Sequence, residues 1–220
     1  MEITVMKNIM GANEEKASEL RALLKSKKVL MVNLIGSPGA GKTTILENTI
    51  AGLKKNNYGV AVIEGDVATD RDARRLQHFE IPITLINTDG ACHLEALSIE
   101  ASLAGFDLDK LDIVFIENVG NLVCPAEFDI GEHAKVAVVS VTEGDDKPLK
   151  YPLLFREAEA IILNKTDLEK YTNFNRQNFM ADIKNLNGAI PLFEMASTNE
   201  PDIGAWLDWL DVKLKEVRAG

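Results

Sequence analysis

From residue 29 onward the chain alternates short apolar runs, rich in β-branched residues, with stretches whose apolar positions recur every three or four residues. VLMVNLI, GVAVIEG, PITLIN, DIVFIEN, KVAVVSV, AIILN and AIPLFEM are the seven candidate strands. They lack the strict in-and-out alternation of a one-sided sheet, so helices are expected to bury them on both faces. Strands spaced by helices in this way predict an α/β fold with a doubly wound, mostly parallel sheet of about seven strands. Upstream, residues 13–26 (NEEKASELRALLKS) begin with Asn13 as a plausible cap and an acidic first turn, then place Leu20, Leu23 and Leu24 on one face. This predicts an extra amphipathic helix ahead of the sheet.

Composition narrows the class. Hydrophobic residues are 46% and charged residues 26% of 220, ordinary values for a globular protein, with no signal-peptide pattern and no run of eighteen apolar residues. A cytoplasmic protein is expected. Lys and Arg total 24 against 34 Asp and Glu, and a net charge of −10 repels phosphate backbones and anionic lipid. Neither nucleic acid nor membrane is expected as a partner. Two cysteines cannot build a disulfide framework, so their chemistry is better sought in metal or thiolate roles.

The first strand runs directly into GSPGAGKTT, in which Gly36, Gly41, Lys42 and Thr43 satisfy G-x-x-x-x-G-K-[ST], and a helical pattern follows. Loop amides from Ser37, Gly39, Ala40, Gly41 and Thr44 and the helix N-terminus would converge on a phosphate chain. Lys42 would reach the β and γ phosphates, and the Thr43 hydroxyl would ligate Mg2+. The sixth strand ends in AIILNKTD, supplying Asn164, Lys165 and Asp167 in N-K-x-D order. Guanine presents two adjacent donors that one carboxylate accepts together, whereas adenine lacks that pair, so Asp167 points to GTP. Asn164 would brace the loop and the Lys165 stem would lie along the base. Ala196 and Ser197, after the last strand, are candidates for a further base-binding turn. Residues 29–220 therefore form a P-loop GTPase domain, and residues 1–28 an N-terminal helical extension.

Carboxylates at strand ends supply the hydrolytic step. Asp66 closes the second strand, where it could hold Mg2+ directly or through water, while Asp70 and Asp72 are explained by helix-dipole complementarity with Arg74 and Arg75 at the other end. Glu117 closes the fourth strand and could act on Mg2+ or the attacking water, and the Gly120 amide could meet the γ phosphate. No arginine finger is apparent, which predicts slow intrinsic turnover raised by a partner or by dimerisation.

The two cysteines frame a second site. Cys92 and His93 adjoin in TDGACHL, where Thr88, Asp89 and Gly90 announce a helix start, and Cys124 lies four residues past Gly120. A helix N-terminus would lower the Cys92 thiol pKa. Two thiolates and an imidazole suit zinc, nickel or copper, and a water, the Cys92 backbone or a second copy of the chain would complete the shell. Buried inert cysteines are the competing reading on spacing alone. His78 and His133, with no cysteine nearby, are expected to be ordinary histidines.

The segments GSPGAGKTT, EGDVATD, ACHLEA, ENVGNLVCP, TEGDDKPLKYP and NKTD together closely resemble the hydrogenase nickel-incorporation GTPase family, and the likeness runs from about residue 10 to nearly the end. The resemblance implies a nucleotide-dependent homodimer, a partner nickel metallochaperone and a hydrogenase large-subunit precursor as client. It also implies that Cys92, His93 and Cys124 bind nickel or zinc. The amino-terminal cysteine motif and the histidine-rich stretch of some members are absent, so transfer through the GTPase-domain site is implied rather than storage. Competing readings are a urease-type nickel-insertion GTPase, whose metal ligands form a Cys-Pro-His run where this chain has Cys124, Pro125 and Ala126; a regulatory switch with a structural zinc; and an ATP-dependent synthetase.

Overall fold

The structure is a computed structural model and describes residues 8–66, 71–196 and 203–219. In chain order the elements are α1 (Asn8–Ser26), β1 (Leu30–Gly36), α2 (Lys42–Lys55), β2 (Val60–Asp66), α3 (Arg71–Leu76), β3 (Ile83–Asn87), α4 (Ala96–Leu103), β4 (Ile113–Glu117), α5 (Cys124–Glu127), β5 (Ala134–Ser140), α6 (Lys147–Lys150), α7 (Pro152–Glu157), β6 (Ala160–Asn164), α8 (Arg176–Asn187), β7 (Leu192–Glu194) and α9 (Gly204–Ala219). The strands form one seven-stranded sheet in the order β3-β2-β4-β1-β5-β6-β7, and every pairing is parallel.

The apolar runs without alternation have a physical counterpart. All of β1, β4 and β6 is buried, and successive residues serve opposite faces. Leu30, Val32 and Leu34 join Ile45, Ile50, Trp206 and Leu210 of α2 and α9 in one core layer. Met31 joins Ala17, Leu20 and Leu24 of α1 with Ile99 of α4 on the other face, and Ile35 joins a third cluster with Leu154 and Phe155 of α7. Helix α1 starts at Asn8, five residues before the position read as its cap. Asn13 is thus not a cap: its amide donates to the Asp129 carbonyl (2.7 Å) and its oxygen accepts the Ala96 amide (2.9 Å). Among the described residues no helix is long and apolar enough to cross a membrane.

Strand β1 is flanked by β4 on one side and β5 on the other, so the strand order reverses there. In a doubly wound sheet the crevice beyond the carboxyl ends at such a point receives the ligand. Gly36, Asp66, Glu117 and Asn164 each close their strand at that edge.

Candidate nucleotide and metal sites

The β1–α2 loop is shaped by Gly39 (φ +78°) and Gly41 (φ +97°), and Lys42 opens α2. A Cβ on Gly41 would stand 2.2 Å from Asn164 Nδ2. Asn164 presses that closely because its amide donates to the Ala40 carbonyl (2.8 Å), and Lys165, in the left-handed region at φ +58°, sends Nζ to the Gly39 carbonyl (2.6 Å). The two motifs that are far apart in sequence thus clasp one another. Asp167 is exposed in the helical turn after β6, and the Thr166 amide and hydroxyl both donate to the Met195 carbonyl. Ala196 follows, half-buried, while Ser197 lies outside the described residues.

The loop opens onto a cavity of about 520 Å3 lined by Gly39, Gly41, Lys42, Thr43, Thr44, Glu64, Arg75, Glu117, Gly120 and Lys165. Lys42 is buried, and its Nζ donates to the Gly36 carbonyl (3.2 Å). The Thr43 hydroxyl donates to Glu117 Oε1 (3.0 Å). Glu64, level with Glu117 on the neighbouring strand, is also buried and faces the cavity. A hydroxyl and two carboxylates offer only hard oxygen donors, a set that fits Mg2+. Asp66 closes β2 beside them with its side chain outside the described residues, as are the Asp72 side chain and all of Asp70. Gly120 packs on the phosphate loop so tightly that a Cβ would stand 2.7 Å from Pro38 Cγ.

Two of these residues stand outside any motif in the sequence. Glu64 sat inside the apolar run GVAVIEG, where a lone acid in a buried strand was the available signal. Arg75 has the sequence position of a helix-dipole residue, yet its guanidinium donates to Thr44 (2.9 Å) and to both oxygens of Glu47 at the cavity wall.

The second site lies next to the first. Thr88 to Ala91 form a turn, but α4 begins only at Ala96, after an extended Glu95. Cys92 and His93 therefore precede the helix rather than open it. Cys92 Sγ is 2.8 Å from Cys124 Sγ and 3.6 Å from His93 Nδ1, and the three donor atoms lie within 4.8 Å of one another. The Cys92 thiol pKa is raised, not lowered: the hydrogen bond to Cys124 is the main cause, with desolvation next. No helix terminus stands at Cys92 to lower its pKa, and the neighbouring sulfur raises it. The His93 ring stacks on Phe128 at 3.7 Å, and its Nε2 is 3.9 Å from Glu95 Oε1. Cys124 opens the short α5, with Pro125 in its first turn. Sulfur and imidazole donors suit nickel, zinc or copper and poorly suit the hard cations that fit the first cavity.

One loop joins the two sites. Residues 118–124 carry Gly120 against Pro38 and Cys124 into the donor cluster. Midway, Asn121 donates its amide to the Cys92 carbonyl (3.2 Å) and accepts the Val123 amide (2.9 Å).

A cavity of the same volume is lined by Arg21, Glu132, His133 and Lys135, so size does not select the site; the phosphate loop does. His133 accepts the Met31 amide at Nδ1 (3.0 Å), and burial, then Arg21 and Lys25, push its pKa down to about 4. His78 is exposed against Phe79.

A parallel sheet with a complete phosphate loop at its reversal point defines a P-loop nucleotide-binding protein. Residues 30–194 match the family of CobW/HypB/UreG nucleotide-binding domains, and the chain belongs to that family and, within it, to the HypB hydrogenase maturation factors. It is 44% identical over 206 residues to the hydrogenase maturation factor HypB of Escherichia coli K12, covering 94% of this chain and 71% of that one. The hydrogenase/urease maturation factor HypB of Helicobacter hepaticus is 40% identical over 215 residues, covering 96% and 88%. A crystal structure of HypB from Helicobacter pylori in complex with nickel superposes with a TM-score of 0.87 at 37% identity, covering 93% of this chain and 96% of that one.

Proposed function

We propose that this chain hydrolyses GTP and uses the nucleotide cycle to deliver nickel to a hydrogenase precursor. The observation that carries the reading is the 118–124 loop, which touches the phosphate loop at Pro38 and the Cys92 carbonyl through Asn121, and which supplies Cys124.

Loop amides from Gly36 to Thr44 cradle the phosphates of GTP, and Lys42 neutralises charge between β and γ. Thr43, Glu117, Glu64 and Asp66, which closes β2, would hold Mg2+, and the ion would supply positive charge to offset the negative charge that builds up in phosphoryl transfer. Glu117 orients the attacking water and Gly120 offers its amide to the γ phosphate. Asn164 and Lys165 brace the loop, Asp167 reads guanine, and Ala196 and Ser197 would supply a further base-binding turn.

Cys92, His93 and Cys124 take up nickel, or zinc in its place, as cargo. Three donors leave a shell incomplete, and Cys92 from a second copy can close it, which ties metal binding to a nucleotide-dependent homodimer. Binding of GTP pulls Gly120 toward the phosphates, and the short covalent path to Cys124 moves a metal ligand with it. A partner nickel metallochaperone loads the site, and the hydrogenase large-subunit precursor receives the metal.

Steady-state hydrolysis tests the nucleotide half. GTP should be turned over slowly and ATP not detectably. Lys42→Ala should abolish turnover, and Asp167→Ala should reduce the preference for GTP by about tenfold to a hundredfold, the consequence of leaving two donors of guanine unpaired. Wild-type protein that hydrolyses ATP as fast as GTP would overturn the assignment.

A further inference from the structure

Strand β1 carries one polar side chain in an apolar run, Asn33, and it is fully buried. It is the middle of a directional chain of hydrogen bonds. The Val119 amide donates to Asn118 Oδ1 (2.9 Å), Asn118 Nδ2 donates to Asn33 Oδ1 (3.1 Å), and Asn33 Nδ2 donates to Glu132 Oε1 (3.2 Å). Glu132 Oε2 accepts the Ile130 amide (2.8 Å), and Lys135 Nζ stands 3.9 Å from Oε1. At one end is a backbone group that only donates; at the other is a carboxylate whose two oxygens both accept, one from Asn33 and one from the Ile130 amide, although burial pushes its pKa up. Those two ends fix the orientation of both amides between them.

Burial is nearly complete for all three side chains, with Asn33 0%, Asn118 1% and Glu132 5% exposed. Buried polar chains of this kind are often replaceable by apolar residues without loss of stability, so the contribution to seek is geometry. The ends of the chain show what geometry is at stake. Asn118 begins the loop that carries Gly120 and Cys124. Ile130 ends the short segment whose Phe128 stacks on His93. The two oxygens of Glu132 thus reach, through Asn33 and through Ile130, the two segments on either side of the donor cluster. Helix α1 pins the same corner, with Arg21 donating to the Glu132 carbonyl (2.9 Å) and to Asp129 (2.6 Å).

We propose that Glu132, Asn33 and Asn118 are positioning residues for the Cys92, His93 and Cys124 site and for its response to the nucleotide. This rests on the reading of that cluster as the cargo site. The chain anchors the root of the 118–124 loop in the core, so displacement of Gly120 is taken up by the outer half of the loop, at Asn121 and Cys124. Without the anchor the root moves as well, and the displacement dissipates before it reaches the sulfur.

Two variants test it. Asn33→Leu removes the central link. Glu132→Gln is nearly isosteric but puts an amide NH2 where an acceptor is required; flipping both asparagines to suit it leaves the Val119 amide facing another donor. Titration with Ni2+ in the presence of GDP and of a nonhydrolysable GTP analogue should show affinity reduced about tenfold to a hundredfold, the usual effect of disturbing the groups behind metal ligands. The ratio of the two affinities should also collapse toward one, while GDP affinity stays within about threefold of wild type. Should Asn33→Leu not fold, Glu132→Gln carries the test. Folded variants with wild-type nickel affinity and wild-type ratio would overturn the proposal. Wild-type protein whose nickel affinity ignores the nucleotide would count instead against the proposed function. Positioning is then judged on nickel affinity alone, and fails if the folded variants keep the wild-type value.

Discussion

Gly41 shows how two distant motifs depend on single atoms. Its backbone needs φ +97°, and any side chain would strike the Asn164 amide that holds the Ala40 carbonyl. His133 illustrates a different constraint, set by burial. Its folded pKa of about 4 lies below the ordinary 6.5 because burial and then Arg21 and Lys25 oppose the charged ring. Between those values the unfolded chain binds a proton that the folded chain does not. The stabilisation is therefore complete above pH 6.5, is lost as pH falls toward 4, and declines no further below it. The gap is worth at most about 3 kcal/mol, less with solvent screening at a half-buried ring. Urea titrations at about pH 7 and about pH 4.5 should show a smaller loss for His133→Gln than for wild type; equal losses would contradict the assignment. Lys42, Thr43 and Asp167 were legible in sequence as candidates because loop chemistry imposes fixed spacing on a motif. Glu64, Arg75, Asn33 and Glu132 were not, because strand register and helix packing bring them to their partners from positions up to about a hundred residues apart.

Among the elements, α9 shows how packing supports the phosphate loop. Trp206 is buried, stacks with Trp209 at 5.2 Å and donates its indole N–H to Thr49 of α2 (3.0 Å). Helix α2 begins at Lys42, so α9 backs the element that presents the phosphate-binding amides. Trp206→Ala should lower the unfolding free energy by about 3–5 kcal/mol, as for other large aromatic truncations in cores. Denaturant titration checks this, and a change under about 1 kcal/mol would contradict the packing account. The seven strands were readable because a sheet buried on both faces needs unbroken apolar runs. Helix starts were less so. Asn13 has the chemistry of a cap but spends it bridging Asp129 and Ala96 inside α1. Thr88, Asp89 and Gly90 do make a turn, yet His93 against Phe128 and buried Leu94 hold the chain irregular until Ala96. Tertiary contacts won over local signals at both places.

Across the whole molecule, the strand order brings the ends of β1, β2, β4 and β6 to one edge. Hard oxygen donors gather in the cavity there, and a soft Cys/His cluster sits one loop away. In the proposed function, that separation of donor chemistry would let Mg2+ and nickel occupy neighbouring sites without exchange, and residues 118–124 connect the two donor sets. Such coupling is reciprocal: whatever GTP does to nickel affinity, nickel must do to GTP affinity. The most direct measurement is nickel titration of wild type and of Cys92→Ala, each with GDP and with a nonhydrolysable GTP analogue. Wild type should bind nickel with an affinity that differs about tenfold or more between the two nucleotides, and Cys92→Ala should lose the site in both. Identical affinity and stoichiometry in the two nucleotide states, or nickel bound equally by the variant, would contradict the account.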